Sequence, residues 1–293
     1  MASDVRMAFD AQNHLGETPV WSQREQALWW VNCENPPELH RWSPTTGAHD
    51  RWPMPQRIGG FAEKASGGML VALADGIYDL DTDTGALAIR VASPLPPQVK
   101  LHESAVDRQG RFWIGAYDHD FPANRAANGA KYFRLDGDRL VPVIEHLAVA
   151  NGFAFSPDGR TLYAADAPKR RVDAWDLDPA TGNVSNRRQF IALVEGEGFV
   201  DGATVDSLGG YWLANVAAGR LRRYLPDGTL ERIIELPFST PTKPVFGGPD
   251  LTTLYITSTR LDMQCFMTPT APNGAIYALE PGFCGVPDVL VTD

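Results

Sequence analysis

The stretch 149-VANGFAFSPDGRTLYAADA-167 decides the fold. It reads as two short apolar segments joined by Ser156-Pro157-Asp158-Gly159, in which Pro presets φ and Gly supplies the left-handed conformation of a tight turn. An Asn-Gly pair, Asn151-Gly152, stands at the entrance, although Asn is disfavoured in strands. Asn151 therefore asks for a role beyond that of a strand residue.

Outward from this hairpin the same strand, polar turn and apolar strand recur as TPVWSQREQALWWVN, GFAEKASGGMLVAL, SAVDRQGRFWIGA, GATVDSLGGYWLAN and PVFGGPDLTTLYITS. The spacing is roughly 40 to 50 residues, the scale of a propeller blade. A second hairpin follows each first one, from LHRWSPTTGAHDRW at the start to AIYALEPGFCGVPDVLV at the end. Two hairpins per repeat make a four-stranded blade. Stripes of helical period are nearly absent. The expected fold is an all-β, six-bladed β-propeller of four-stranded antiparallel blades around a central channel, forming one domain over residues 1–293. A β-sandwich would not produce such even phasing. The segment VRMAFDAQ, residues 5–12, precedes the first full hairpin and is expected to supply the outer strand of the last blade, closing the ring.

A hydrophobic content of 44% with 21% charged residues supports a large buried core and argues against disorder. The net charge of −10, with no run of Lys or Arg, argues against nucleic acid and favours a small molecule or a cation as partner. The N-terminus has no basic segment followed by an apolar one, as a signal peptide would, and no apolar run approaches a membrane span. Cys33, Cys265 and Cys284 lack metal-ligand spacing and read as reduced thiols of a cytoplasmic protein, in preference to a Cys265–Cys284 bridge.

Equivalent repeat positions lie at one height around the channel. Counting back four residues from the apolar residue before each turn selects Glu17, Ile58, His102, Asn151, Asp201 and Thr242. Two carboxylates and a carboxamide converging on one axis are hard oxygen donors, suited to Ca²⁺, Mg²⁺ or Mn²⁺ and acceptable to Zn²⁺. Each of the three alone could serve a turn, but their register is set by other residues, so their coincidence points to a shared task. His102, at the same height, is a candidate ligand, acid, base or substrate contact. Glu103 is expected to alternate to the opposite face of its strand. Trp29, Trp30, Trp113 and Trp212 recur at matching points of the repeats and are expected between blades, not stacked on a sugar.

The segments LGETPVW, VDRQGRFWIGAY, NGFAFSPDGRTLYAADA, VDGATVDSLGGYWLA and FGGPDLTTLYITS together resemble the senescence marker protein/gluconolactonase/regucalcin family over nearly the whole chain. That family consists of six-bladed propellers that hydrolyse sugar lactones with one divalent metal in the channel. The resemblance implies Glu17, Asn151 and Asp201 as metal ligands, with Asp201 also the general base for water. It further implies a bound divalent ion, Ca²⁺ or Zn²⁺ first, with Mn²⁺ or Mg²⁺ also suited. On the substrate side the chain departs from the pattern. Where the family has Arg, an apolar residue, Asn, Asp and Gly, it reads Lys100, Leu101, His102, Glu103 and Ser104. Lys100 and His102 thus occupy positions of a substrate-contacting Arg and Asn, and Arg125 falls where some members carry a substrate-binding Glu. The expected activity is metal-dependent hydrolysis of an aldonolactone. Hydrolysis of an aryl ester or phosphotriester, or calcium binding without catalysis, are the rival readings, since propellers host many functions.

Overall fold

The computed structural model describes residues 4–121, 123–124, 126–261 and 273–292. Among them are six four-stranded antiparallel sheets arranged as propeller blades, and a single short 3₁₀ turn, Ala167–Lys169, in place of any longer helix. Five blades run in simple chain order from the inside outwards. Their innermost strands, Gly16–Ser22, Ile58–Glu63, Val99–Val106, Ala150–Phe155 and Phe199–Val205, are joined round the axis by Pro241–Gly247 of the sixth. Most of their residues are buried because they face the channel on one side and the next strand on the other. The strand edges are thereby hidden, which is how closure removes the pairing liability of a sheet edge.

The sixth blade closes as expected, with Arg6–Phe9 pairing antiparallel to Ile276–Leu279 as its outermost strand. Its predicted second hairpin is a different matter. Because the N-terminal strand already occupies the outer edge, GVPDVLV does not form a strand there. The tail instead crosses beneath the channel. Gly285 bridges Asp206, Val291 bridges Lys64, and the Thr292 N–H donates to the Gly110 carbonyl at 3.1 Å.

Aromatic side chains fill the spaces between blades. Trp29, Trp30, Trp113 and Trp212 are all almost fully buried. Trp113 packs on Phe153 and Phe155 of the following blade, and Trp212 on Phe246 of the next. The repeated Asp before each of two turns explains its recurrence. Asp107 and Asp206 accept backbone N–H bonds from their own turns and the indole N–H of Trp113 and Trp212 at 3.0 and 2.8 Å. One carboxylate thus ties a turn to the interblade tryptophan. Among the described residues no helix is long and apolar enough to cross a membrane.

Candidate active site

The six innermost strands share an irregularity. In each, pairing with the second strand shifts at or just after the predicted ring position: beyond Glu17, Ile58, His102 and Asn151, and across Asp201 and Thr242. A bulge inserts an unpaired residue and breaks the two-residue alternation of side chains. In residues 149–167, Asn151-Gly152 is such a bulge within a strand, not a turn. Gly152 has φ +67°, and a Cβ there would stand 2.8 Å from the Tyr211 hydroxyl. Carbonyls released from the ladder find new donors, Tyr132 Oη donating to Asn151 O at 2.6 Å and Tyr211 Oη to Gly152 O at 2.7 Å.

Glu17, Asn151, Asp201 and His102 come together at the upper mouth of the channel, all at least nine-tenths buried. Burial pushes the Glu17 carboxyl up to about 7, with the negative charge of Glu103 adding to it and Lys243, the Thr18 N–H and Arg57 opposing. Asp201 is raised well above the carboxylate range by burial, then by Glu17 and Glu103. Neither has an ion-pair partner among the described residues. Asn151 Oδ1 is buried without a hydrogen-bond partner among the described residues. Two carboxylates that resist ionising and an orphaned amide oxygen are a donor set suited to a hard divalent cation. No three His, Cys, Asp or Glu side chains among the described residues converge closely enough to hold an ion by themselves.

Glu103 overturns the expectation that it faces away. With φ +50° at the bulge, it turns into the channel and is fully buried. Its Oε1 lies 3.0 Å from Lys243 Nζ, and the Phe153 N–H approaches both of its oxygens at 3.4 Å. Burial raises its carboxyl, against the opposing charge of Lys243. Strict alternation put Glu103 on the wrong face, and nothing local in the sequence singles out Lys243. The repeat register held the signal, since one residue past each ring position stand Thr18, Gly59, Glu103, Gly152, Gly202 and Lys243. An acid and a base appear there among four small residues. Gly202 leaves the space that the Lys243 stem fills.

His102 is pushed down to about 3, first by burial and then by the Arg57 charge, while an interaction with Asn151 acts in the opposite sense. It is therefore neutral near pH 7. Arg57 Nη2 lies 3.4 Å from His102 Nδ1. With Arg57 donating there, the ring proton sits on Nε2, facing the site. Lys100 is half-buried at the mouth, two residues before His102. Arg125 lies outside the described residues. Cys33 is fully buried, and burial pushes its thiol up to about 12, so it is an inert thiol as expected. Cys265 also lies outside the described residues.

Fold and mouth together define a six-bladed propeller with an acidic, amide-bearing site at one end of its channel. Within that class the chain belongs to the SMP-30/gluconolactonase/LRE-like family, whose region matches residues 15–260. It is 39% identical over 281 residues to the 6-deoxy-6-sulfogluconolactonase of Pseudomonas putida, covering 94% of each chain. It is 34% identical to pentonolactonase XacC of Haloferax volcanii, covering 87% of this chain and 84% of that one. The structure of a calcium-binding protein, regucalcin, from Agrobacterium tumefaciens superposes with a TM-score of 0.90 at 26% identity, covering 99% of this chain and 98% of that one.

Proposed function

We propose that this protein is a lactonase that opens the ring ester of an aldonolactone to the aldonic acid, with a divalent cation held by Glu17, Asn151 and Asp201. The observation that carries this reading is the buried convergence at the upper channel mouth of two carboxylates without ion-pair partners and an amide oxygen without a hydrogen-bond partner, among the described residues. Relatives named for lactone hydrolysis, matched over most of their length, support the reaction class. When bound, the cation supplies positive charge beside the lactone carbonyl, where negative charge builds up during attack. Ca²⁺ and Zn²⁺ are the leading candidates, with Mn²⁺ and Mg²⁺ next.

The protein's own groups supply the proton transfers. Asp201, which would be ionised once a cation offsets its burial and the charge of Glu17, takes a proton from water as the water oxygen adds to the lactone carbonyl carbon. The acyl bond to the ring oxygen then breaks, and Asp201 returns the proton to that oxygen, leaving the open-chain hydroxy acid. His102, neutral and donating from Nε2, orients substrate oxygens, together with Lys100 and Arg125. A cytoplasmic setting agrees with the inert, buried thiol of Cys33.

The test is the hydrolysis rate of a panel of five- and six-carbon aldonolactones by chelator-treated protein, with each divalent ion added back in turn and Asp201→Asn beside the wild type. Ion-restored turnover that Asp201→Asn loses is the expected result. Ion binding with no lactone opened faster than in buffer would instead favour a cation-binding propeller.

A further inference from the structure

We propose that Arg57 and Lys100 form an anion clamp at the upper mouth, so that the lactone opened here carries a sulfonate, phosphate or carboxylate remote from its reacting carbonyl. This rests on the lactonase reading and sharpens it to a substrate class.

Arg57 immediately precedes the ring position of the second blade, and its side chain is 12% exposed. Its guanidinium carbon sits 4.8 Å from the centre of the Tyr117 ring, and Nη1 donates to the Leu101 carbonyl at 2.9 Å. With the approach of Nη2 to His102, these contacts fix the guanidinium plane against the wall of the mouth. Nε has no hydrogen-bond partner, the Glu34 carboxylate lying 3.7 Å away. An arginine oriented by an aromatic face and a carbonyl, with N–H groups to spare, is preorganised for a planar or tetrahedral oxyanion.

Lys100 supplies the second charge. It stands two residues before His102, on the same face of its strand, and lies opposite Tyr117 in the pairing register. No hydrogen bond or ion pair engages it among the described residues. In a chain of net charge −10, this places Arg57 over the Tyr117 ring and Lys100 across the strand pair from Tyr117, two cations beside the site with Glu34 as the nearby acid. A neutral sugar needs only hydroxyl-matched donors and acceptors, which His102 and Asn151 already offer. An uncommitted lysine adds more for an anion than for hydroxyls, since a charge-assisted hydrogen bond is stronger than a neutral one. The clamp would also draw an anionic lactone through the field of an acidic protein.

The experiment compares kcat/KM, above the buffer rate, for the lactones of gluconate, 6-deoxy-6-sulfogluconate, 6-phosphogluconate and glucarate. Wild type, Lys100→Met and Arg57→Lys are measured with the metal restored. The expected result is a wild-type preference for one anionic lactone over the neutral one, the preferred member naming the anion. That anionic-to-neutral ratio should fall about tenfold in Lys100→Met, as loss of one charged contact implies. Arg57→Lys keeps the charge but loses the fork, and should cost less on the same ratio. A wild type without anionic preference, or a ratio unmoved in Lys100→Met, overturns the clamp. If no lactone is opened at all, the lactonase reading fails and calorimetry decides the clamp separately. Binding of 6-deoxy-6-sulfogluconate, 6-phosphogluconate or glucarate that weakens in Lys100→Met supports it, and binding of none, or binding equal in both proteins, sinks it.

Discussion

The two ends of the channel are built by the same six strands yet hold opposite chemistry. At the upper mouth the bulges turn successive side chains inward, and Glu17 and Asp201 are buried with no cation among the described residues bonded to them. Past the bulges regular alternation resumes, and the lower end is a cavity of about 300 Å³ between apolar walls that include Val20, Phe61, Phe155, Val205 and Val245. The C-terminal tail contributes Asp288, Val289 and Leu290 to it. Acids at this lower end are answered locally. Glu63 pairs with Arg24, and Asp288 accepts the Trp21 N–H at 3.3 Å. Glu103 and Lys243 lie between the two regimes, as an acid answered by the neighbouring blade. Buried Asp107, Asp173, Asp206 and Glu63 each have an ion-pair partner, whereas Glu17 and Asp201 have none among the described residues. Their height is where we propose that an external cation is held.

The largest effect that would sharpen this contrast is on turnover. Asp201→Asn and Glu17→Gln should each lower kcat/KM for the best lactone by about 10³-fold, within the range for losing a positioned acid-base group. Retention of wild-type rates in both would erase the distinction between the two ends.

Next in size is the intermediate pair. Glu103→Gln leaves the Lys243 ammonium buried without its partner, and Lys243→Met leaves Glu103 in the same position. Each should destabilise by about 3–5 kcal/mol in denaturant unfolding. The double variant should recover much of that loss, and additive losses would show that the pair is not a unit. Because an unanswered ammonium repels a cation, Glu103→Gln should also bind divalent ions more weakly than the wild type.

A smaller effect concerns pH in chelator-treated protein. Glu17, surrounded by Asp201, Glu103, Lys243 and Arg57, is raised from 4.5 to about 7 in the folded state. Between these values the folded protein holds a proton that the unfolded chain has lost, so stability falls as pH rises through that window. The thermal midpoint of the metal-free protein should therefore drop between about pH 4.5 and 7, and a saturating divalent ion should flatten the slope. Identical slopes with and without the ion would contradict the assignment of Glu17. The smallest effect belongs to the lower end. Asp288→Asn should change kcat/KM less than about twofold and stability by no more than about 0.5 kcal/mol, as for a surface substitution.

How much of this could be read beforehand follows from what repeats and what does not. Turn chemistry such as Ser156-Pro157-Asp158-Gly159 recurs with each blade, so the propeller, its phase and the closing strand Arg6–Phe9 were all legible. Ring positions were legible for the same reason, because Glu17, Asn151 and Asp201 fall in a register that other residues define. The bulges were hidden. Thr18 and Glu103 adopt positive φ without being glycine, and no local pattern announces that. Only the glycines at 59, 152 and 202, read across blades, hinted that the position after the ring is special. Arg57 was missed because its importance comes from Tyr117 and Leu101, distant in sequence and adjacent in space. The tail after Leu279 was misread because its hairpin-like composition competes with an N-terminal strand that sequence alone does not rank.

The most direct test is a calorimetric titration of chelator-treated protein with Ca²⁺ and with Zn²⁺, comparing wild type, Asp201→Asn and Asp288→Asn. One ion per chain in wild type and in Asp288→Asn, bound at least about tenfold more weakly in Asp201→Asn, is the predicted result. Binding unchanged by Asp201→Asn, or weakened equally by Asp288→Asn, would contradict the claim that the upper ring alone is built to receive a cation.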